Sequence, residues 1–246
     1  MAEFSPDLIR ILRAARYIAV LTGAGVSAES GIPTFRDAQV GLWAQYRPED
    51  LATPEAFERN PKLVWDWYVW RGEIVRGARP NPGHYALAEM QRRVSQSSLI
   101  TQNVDGYHQL AGSTDIIELH GNILRTKCSR ENIVIDEWAA TDNTPPPCPR
   151  CGAYLRPDVV WFGEMLPPGA LEAANQAAKA CDVFISIGTS GLVEPAASLA
   201  HVALNHGAAV VEINPTTTSL TSRATFVLQG ASGVVLPMLI KAAWPG

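Results

Sequence analysis

The sequence predicts an α/β fold in which a doubly wound parallel sheet carries a second, smaller lobe. Apolar runs of strand length alternate with helix-like stretches, the pattern of a parallel sheet covered on both faces. A glycine-rich turn follows the first apolar run, as in a βαβ unit. Residues 33–80 and 124–159 break the alternation, so we interpret them as insertions that pack together as the smaller lobe.

The elements follow in order along the chain. Residues 5–16 predict an amphipathic helix with Ser5 as N-cap and Pro6 in the first helical position. The next apolar run has strand length, and the small residues after its glycine-rich turn are expected to open a helix. Further strands are predicted at 97–103, 115–121, 182–190, 208–214 and 224–230, and helices at 82–93, 168–180 and 193–207.

Length and composition exclude several classes of protein. The 246 residues, 47% hydrophobic and 18% charged, are a globular composition that needs no disulfides to build a core. A net charge of −4 disfavours a general nucleic-acid binder. We expect no membrane partner, since no apolar run approaches the roughly 18 residues of a membrane span. The charged N-terminus lacks a secretory signal's apolar stretch and the cysteines are few, so we expect a cytoplasmic location.

Three clusters of small and polar residues follow predicted strands. Residues 23–28 read GAGVSA and fit G-x-G-x-x-A, which suits a pyrophosphate near a helix N-terminus, although an ordinary strand-to-helix turn is the alternative. An acidic residue on a second strand about 20 positions later is missing, which disfavours an ordinary dehydrogenase half. Residues 188–190 and 212–214 end two other strands, and the three clusters should converge on one ligand crevice.

A second constellation combines amide, carboxylate and imidazole groups. Residues 102–105 read QNVD and residues 118–121 read ELHG, each just after a predicted strand. These groups could face a bound sugar, and a histidine suits proton transfer near neutral pH. The alternative is that Asn and Asp cap turns and that the histidine is structural.

The chain resembles the sirtuins, the NAD-dependent protein-lysine deacylases. The segments GAGVSAESGIPTFRD, TQNVDGYH, ELHGN, VVWFGEMLP, GTSGLVEPA and EINP resemble that family's motifs in the same order, from about residue 20 to 233. The resemblance implies a Rossmann-like NAD-binding domain, a helical insertion with a cofactor-binding loop and a zinc-ribbon-like insertion. We assign these parts to residues 1–32, 81–123 and 160–246, to residues 33–80 and to residues 124–159.

The resemblance also implies roles for individual residues. His120 is the general base, and Asn103 and Asp105 belong with it to the catalytic site. The residues implied around NAD are Gly23, Ala24, Gly25, Ser27, Phe35, Arg36, Asp37, Gln102, Asn103, Asp105, Gly188, Thr189, Ser190, Asn214, Gly230 and Ala231. Those implied along the acyl-lysine peptide are Val160, Trp161, Phe162, Gly163 and Val193. NAD is then a consumed co-substrate, and the products are nicotinamide, free lysine and O-acyl-ADP-ribose.

Residues 60–76 predict a helix, with Asn60 as N-cap and Pro61 in the first helical position. Tyr68 and Arg71 lie three residues apart and share one face of it. A guanidinium matches a carboxylate, so the pair suits an acidic acyl group, although a surface Arg beside a half-buried Tyr is the usual interpretation. The Tyr-x-x-Arg arrangement resembles the sirtuin branch that removes succinyl and malonyl groups, and Ala52 resembles the small residue that widens its pocket.

The cysteines form an incomplete zinc pattern. Cys148 and Cys151 make one C-x2-C pair, but Cys128 is followed by Ser129, Arg130 and Glu131 where a second cysteine is expected. Either three thiolates bind zinc with a fourth ligand such as Glu131 or water, or the metal is lost. Cys181 is expected in the core.

Two other functions stay open at this point. A mono-ADP-ribosyltransferase would use the same chemistry on a protein nucleophile, and a non-catalytic NAD-binding regulatory module would need no base. The presence of Asn103, Asp105 and His120 together disfavours the second alternative.

Overall fold

A parallel sheet organises the part of the chain that the structure, a computed structural model, describes: residues 4–32, 45–139 and 141–245. The strands there are β1 Tyr17–Thr22, β2 Gln96–Thr101, β3 Ile116–Glu118, β4 Gly121–Cys128, β5 Leu155–Val159, β6 Val183–Ile187, β7 Ala209–Asn214 and β8 Phe226–Gln229. Six of them form the sheet, in the order β3-β2-β1-β6-β7-β8. The two central strands, β1 and β6, are buried almost throughout, which explains their continuous apolar sequence.

The register of the sheet aligns the carboxyl ends of its strands. Thr22 at the end of β1 lies opposite Thr101 of β2 and Ile187 of β6. In the neighbouring pair, Ile187 lies opposite Ile213 of β7. The loops that follow these strands therefore begin at one edge of the sheet.

Helices cover both faces of the sheet. The α-helices of the described residues are α1 Pro6–Ala14, α2 Pro54–Arg59, α3 Pro61–Gly77, α4 Pro82–Arg93, α5 Tyr107–Leu110, α6 Pro168–Ala180, α7 Ser198–Asn205 and α8 Ser232–Ala243. One apolar core joins the sheet to α1, α4 and α8, and a second joins it to α6 and α7. The predicted doubly wound α/β fold is confirmed.

The smaller lobe combines helices with an antiparallel pair of strands. Strand β4 pairs with β5, so that Gly121 lies opposite Val159 and Cys128 lies opposite Leu155. Helices α2 and α3 and these strands share a third core, in which Trp67 is fully buried. A fourth, small core includes Cys128 and Cys148.

Three local predictions need correction. Two short 3₁₀ turns, at residues 24–26 and 28–30, replace the predicted helix after the glycine-rich turn, and left-handed Gly31 ends the second. Helix α7 begins at Ser198 rather than near 193, and Pro195 contributes to this because it disfavours the helical conformation in the residue before it. Ser5 stands at the N-cap position of α1 as predicted, but its side chain makes no capping hydrogen bond. No helix in the described ranges combines the length and apolarity that crossing a membrane requires.

Candidate active site

Two glycine turns pack against each other at the carboxyl edge of the sheet. The Gly25 N–H donates to the Gly188 carbonyl at 2.9 Å. A Cβ on Gly25 would lie 2.7 Å from the Gly188 Cα, and Gly188 has a φ of +60°. Larger residues are therefore excluded from both positions. Beside this contact Ala24 is exposed and Gly25 is half-buried, whereas Gly23 is buried. A pyrophosphate requires close approach to backbone of this kind.

The ends of β6, β7 and β8 are joined by hydrogen bonds beside these turns. The Asn214 side-chain amide donates to the Thr189 carbonyl at 3.0 Å, and the Gly230 N–H donates to the Asn214 carbonyl at 3.0 Å. The Thr189 and Ser186 hydroxyls lie 3.0 Å apart. Ala231 follows as the residue before α8. The structure thus brings together predicted residues that lie far apart in the sequence.

Ser27 is the centre of a buried hydrogen-bond network. Its hydroxyl donates to Asp105 Oδ2 at 2.7 Å and accepts from the Asn103 amide at 3.1 Å. His84 Nε2 lies 3.3 Å from the same oxygen. Because the Asn81 N–H donates to His84 Nδ1 at 3.2 Å, Nε2 carries the proton and donates to Ser27. The network fixes the side chains that the sequence predicts around nicotinamide and its ribose.

The Asp105 carboxylate lies in a nearly dry environment. Only 4% of the residue is exposed, and this burial raises its pKa, while the Tyr107 N–H, the Ser27 hydroxyl and the Arg71 charge oppose the rise. The Tyr107 N–H donates to Asp105 Oδ1 at 2.9 Å. An acceptor oriented in this way is suited to hold a hydroxyl or amide donor of a ligand.

Two buried histidines support this network, and the sequence interpretation missed both. His84 and His108 have ring centroids 4.9 Å apart, and His108 Nε2 lies 3.0 Å from the Thr22 hydroxyl. Burial lowers the pKa of His84 to about 4 and that of His108 to about 3, so both rings are neutral at pH 7. His84 lies in α4 and His108 in α5. A single histidine within a helix does not by itself indicate a role in a site, so the sequence did not predict either one.

His120 is oriented for proton transfer. Its Nδ1 lies 2.9 Å from the Gln102 carbonyl, which fixes the Nδ1–H tautomer and leaves Nε2 as the acceptor. Burial lowers the pKa of His120, so the ring is neutral and able to accept a proton near pH 7. Gln102 also lines, with Thr189, Ser190 and Val193, a small cavity of about 20 Å³.

Helix α3 supplies the wall of the predicted acyl pocket. Asn60 caps it as predicted, since its side chain accepts from the Leu63 N–H at 3.1 Å. Tyr68 is buried, and this burial raises its pKa to about 12. The Arg71 guanidinium lies 5.0 Å from the centre of the Trp67 ring, and desolvation lowers its pKa. The wall thus presents a phenol and a partly desolvated cation.

An ion pair that the sequence did not predict holds Trp161, whose ring faces Tyr68 of α3. Arg156, only 7% exposed, lies 3.3 Å above the Trp161 ring and pairs with both carboxylate oxygens of Glu164 at 2.5 and 2.9 Å. The Trp161 N–H of the backbone donates to Glu164 at 2.8 Å. The Trp161 ring faces Tyr68, with centroids 6.3 Å apart. Because long-range packing creates this contact, spacing in the sequence could not reveal it.

The segment after β5 connects His120 to the predicted acyl pocket. The Val160 N–H donates to the His120 carbonyl at 2.9 Å, and the Phe162 N–H donates to the carbonyl of the buried Ala52 at 3.0 Å. Phe162 and Gly163 are exposed, as is Val193 on the loop between β6 and α7. The predictions for Phe35, Arg36 and Asp37 lie outside the described residues.

The two 3₁₀ turns that follow β1 are anchored by distant residues. The Glu29 carboxylate accepts from the Gly233 N–H at 2.6 Å and from the Ser232 hydroxyl at 3.3 Å, at the start of α8. On the other side the Asn81 amide donates to the Val26 carbonyl at 2.8 Å. Both contacts fix the turns relative to the helices of the main domain.

The cysteine cluster fits a metal ion. Ligand atoms of Cys128, Glu131, Cys148 and Cys151 all lie within 4.8 Å of one another. Thiolates with a carboxylate are a donor set that zinc accepts, so the cluster could bind zinc. Cys181 lies apart from it, buried as predicted, and burial raises its pKa to about 11.

Comparison with known proteins gives consistent matches. Residues 23–195 match the profile of the Sir2 family. The chain is similar to an NAD-dependent protein deacylase of Methylococcus capsulatus, with 50% identity over 98% of this chain and 97% of the relative. It is similar to a solved complex of a Sir2 homologue with NAD, with a TM-score of 0.91 and 46% identity over 98% of this chain and 94% of that one. Sir2Af2 bound to a myristoylated histone peptide matches with a TM-score of 0.76 and 33% identity over 97% of both chains.

Proposed function

Since the chain belongs to the Sir2 family and is an NAD-dependent protein deacylase, we propose that it removes acidic acyl groups, succinyl and malonyl, from lysine side chains. One observation supports this preference: Arg71 and the buried Tyr68 lie three residues apart on α3, and the Tyr68 ring faces that of Trp161 with centroids 6.3 Å apart. The smaller acetyl group enters the same pocket, so acetyl-lysine is a second substrate.

Electrostatics favours an anionic acyl group beside Arg71. Burial lowers the pKa of this guanidinium, because removal from water disfavours its charge. A carboxylate would restore the lost hydration with paired, charge-assisted hydrogen bonds, in the planar geometry that a guanidinium matches. The Tyr68 hydroxyl adds a neutral donor, which stays protonated because its pKa is about 12.

We assign NAD to the edge where the strand ends converge. Backbone at Gly23, Gly25 and Gly188 faces the pyrophosphate, and Asn214 and Thr189 face the adenosine side. Asn103 and Asp105 hold the nicotinamide ribose through the donors and acceptors that Ser27 fixes. This arrangement supports cleavage of the nicotinamide–ribose bond, with the acyl oxygen positioned to capture the sugar carbon.

His120 then acts as the base in this proposal. Its Nε2 accepts the proton of a ribose hydroxyl, which attacks the acyl carbon attached to the sugar. The Gln102 carbonyl supports this role because it keeps Nδ1 protonated and aims Nε2 away from itself. The lysine amine leaves as the free side chain, water adds to the cyclic cation that remains, and the acyl group stays on ADP-ribose as an ester.

The peptide is proposed to lie between the exposed segments at 160–163 and at Val193. The bound histone peptide named for the similar Sir2Af2 supports a peptide substrate, and we propose acyl-lysine proteins as the partners of this chain. The exposed Phe162 ring and the exposed backbone at Gly163 suit contact with an extended peptide.

The test is a panel of peptides that differ only in the acyl group on one lysine. NAD is incubated with acetyl-, malonyl-, succinyl- and unmodified-lysine forms, and kcat/KM and product masses are measured. The proposal expects higher kcat/KM for the two acidic groups and O-acyl-ADP-ribose as product. Preference for acetyl-lysine would refute the acidic specificity. ADP-ribose attached to the unmodified peptide would instead indicate a mono-ADP-ribosyltransferase, and no turnover of any form would indicate a non-catalytic module.

A further inference from the structure

The carboxylate of Glu131 occupies the place of a missing cysteine in the smaller lobe. We propose that Glu131 is the fourth ligand of a zinc ion held by Cys128, Cys148 and Cys151, so that the site has three thiolates and one carboxylate. This proposal does not depend on the acyl preference proposed above.

The backbone shows that the two halves of the cluster are equivalent turns. The Asn132 N–H donates to the Cys128 carbonyl at 3.0 Å, and the Gly152 N–H donates to the Cys148 carbonyl at 2.9 Å. Both donors stand four residues after the first cysteine of their turn. Both have positive φ, +54° and +72°. Each turn is thus a tight reversal of the same length and hand.

The bonds that close these turns are also equivalent. The Cys128 N–H donates to the Ile133 carbonyl at 2.9 Å, and the Cys148 N–H donates to the Ala153 carbonyl at 2.6 Å. In the second turn the ligand three positions after the first cysteine is Cys151. In the first turn that position is Glu131, so the fold aims this carboxylate where a fourth cysteine would lie.

Side-chain contacts support the same assignment. The Glu131 N–H donates to the Cys128 sulfur at 3.4 Å, and the Cys128 and Cys151 sulfurs are 3.4 Å apart. Zinc bonds of about 2.3 Å to sulfur and about 2.0–2.2 Å to oxygen are compatible with four donors at these separations. Water is not needed as a ligand, since a carboxylate already lies among the thiols.

Arg150 orients the proposed ligand. Its Nε lies 3.0 Å from Glu131 Oε2, which leaves the other carboxylate oxygen for the ion. Arg150 belongs to the second turn, so this ion pair joins the two turns. Three thiolates and one carboxylate around Zn²⁺ carry the same net charge as four thiolates, and Arg150 offsets part of it. Such outer contacts commonly hold zinc ligands in place.

The test measures zinc itself, in competition with a chromogenic chelator, on metal-free protein reloaded in reducing buffer. Loss of an outer-shell contact to a zinc ligand typically costs about 10–100-fold in affinity, so Glu131→Ala should lose at least tenfold. Glu131→Cys should retain tight binding. The matched control is Glu137→Gln, an exposed acid on the same loop, which should bind as the unchanged protein does.

Cobalt(II) absorption provides the second readout, because its ligand-field bands respond to exchange of an oxygen for a sulfur ligand. The bands should shift in Glu131→Cys and stay unchanged in Glu137→Gln. Glu131→Gln, which keeps the side-chain shape, replaces the alanine variant if that one fails to fold. Unchanged zinc affinity and unchanged cobalt bands in Glu131→Ala or Glu131→Gln would overturn the assignment, as would wild-type protein that takes up no zinc.

Discussion

Replacing Arg71 with methionine should separate acidic from neutral acyl substrates. Methionine keeps much of the volume over the Trp67 ring and removes the charge. Hydrogen bonds to charged groups are worth roughly 1.5–3 kcal/mol, which corresponds to a loss of about one to two powers of ten in kcat/KM for succinyl-lysine. Tyr68→Phe removes a neutral donor and should cost less than about tenfold.

The structure adds a second effect that applies to both substrates. The positive charge of Arg71 opposes the rise in the Asp105 pKa, so its removal should raise that pKa further. The kcat/KM for acetyl-lysine should therefore decrease somewhat too. The effect through Asp105 should lower kcat/KM for acetyl-lysine and for succinyl-lysine by the same factor. The ratio of the two kcat/KM values, and not either value alone, reports the contact with the acyl carboxylate.

The assay measures kcat/KM for succinyl-lysine and for acetyl-lysine with peptides that differ only in the acyl group, at saturating NAD. The ratio of the two values is compared between variants. Arg76→Met is the matched control, because Arg76 is an exposed arginine on the same helix. Its ratio should equal that of the unchanged protein. Equal fractional losses on succinyl- and acetyl-lysine in Arg71→Met would refute the reasoning, because the charge would then act only through the fold or the cofactor site.

Three further predictions follow from the described contacts. His120→Ala should lose about 10²–10⁴-fold in turnover and keep NAD binding by titration, and near-normal turnover would exclude it as the base. Because the pKa values of His84 and His108 are lowered in the folded state, the unfolded chain binds more protons below about pH 6.5. The free energy of unfolding should therefore fall on acidification, by up to about 1.4 kcal/mol per pH unit for each ring. Urea unfolding at pH 7 and at pH 5 measures this fall, which should be smaller in His108→Gln than in the unchanged protein. An undiminished change would contradict this cause. Arg156→Lys should raise the KM for the peptide about tenfold and leave the KM for NAD unchanged, because an ammonium cannot pair with both Glu164 oxygens as the guanidinium does. A rise in both KM values would instead indicate a general structural effect.

The fold could be predicted from the sequence because its signals are local and repeated. The central strands are buried on both faces, so their residues are apolar throughout, and Asn60 followed by Pro61 marks the start of α3. The turn after β1 was misread because the same small residues suit a helix and a 3₁₀ turn. Contact with Gly188, which lies more than 160 residues away, decides between them.

The candidate site was predictable to the extent that its residues follow strands. Polar groups at the ends of parallel strands meet at one edge, and Asn103 and Asp105 do converge on Ser27. His84 and Arg156 were missed for a physical reason. Their importance comes from burial against partners far along the chain, and neither residue type nor spacing records that burial.

The anchoring of the turn beside the proposed cofactor site has a consequence for how the protein is made. Glu29 is synthesised early, but the α8 residues that its carboxylate contacts are 203 and 204 positions later. Closing so long a loop costs chain entropy, so this contact forms late in folding. We expect a growing chain on the ribosome to complete the anchoring of this turn through Glu29 only after α8 has emerged and docked.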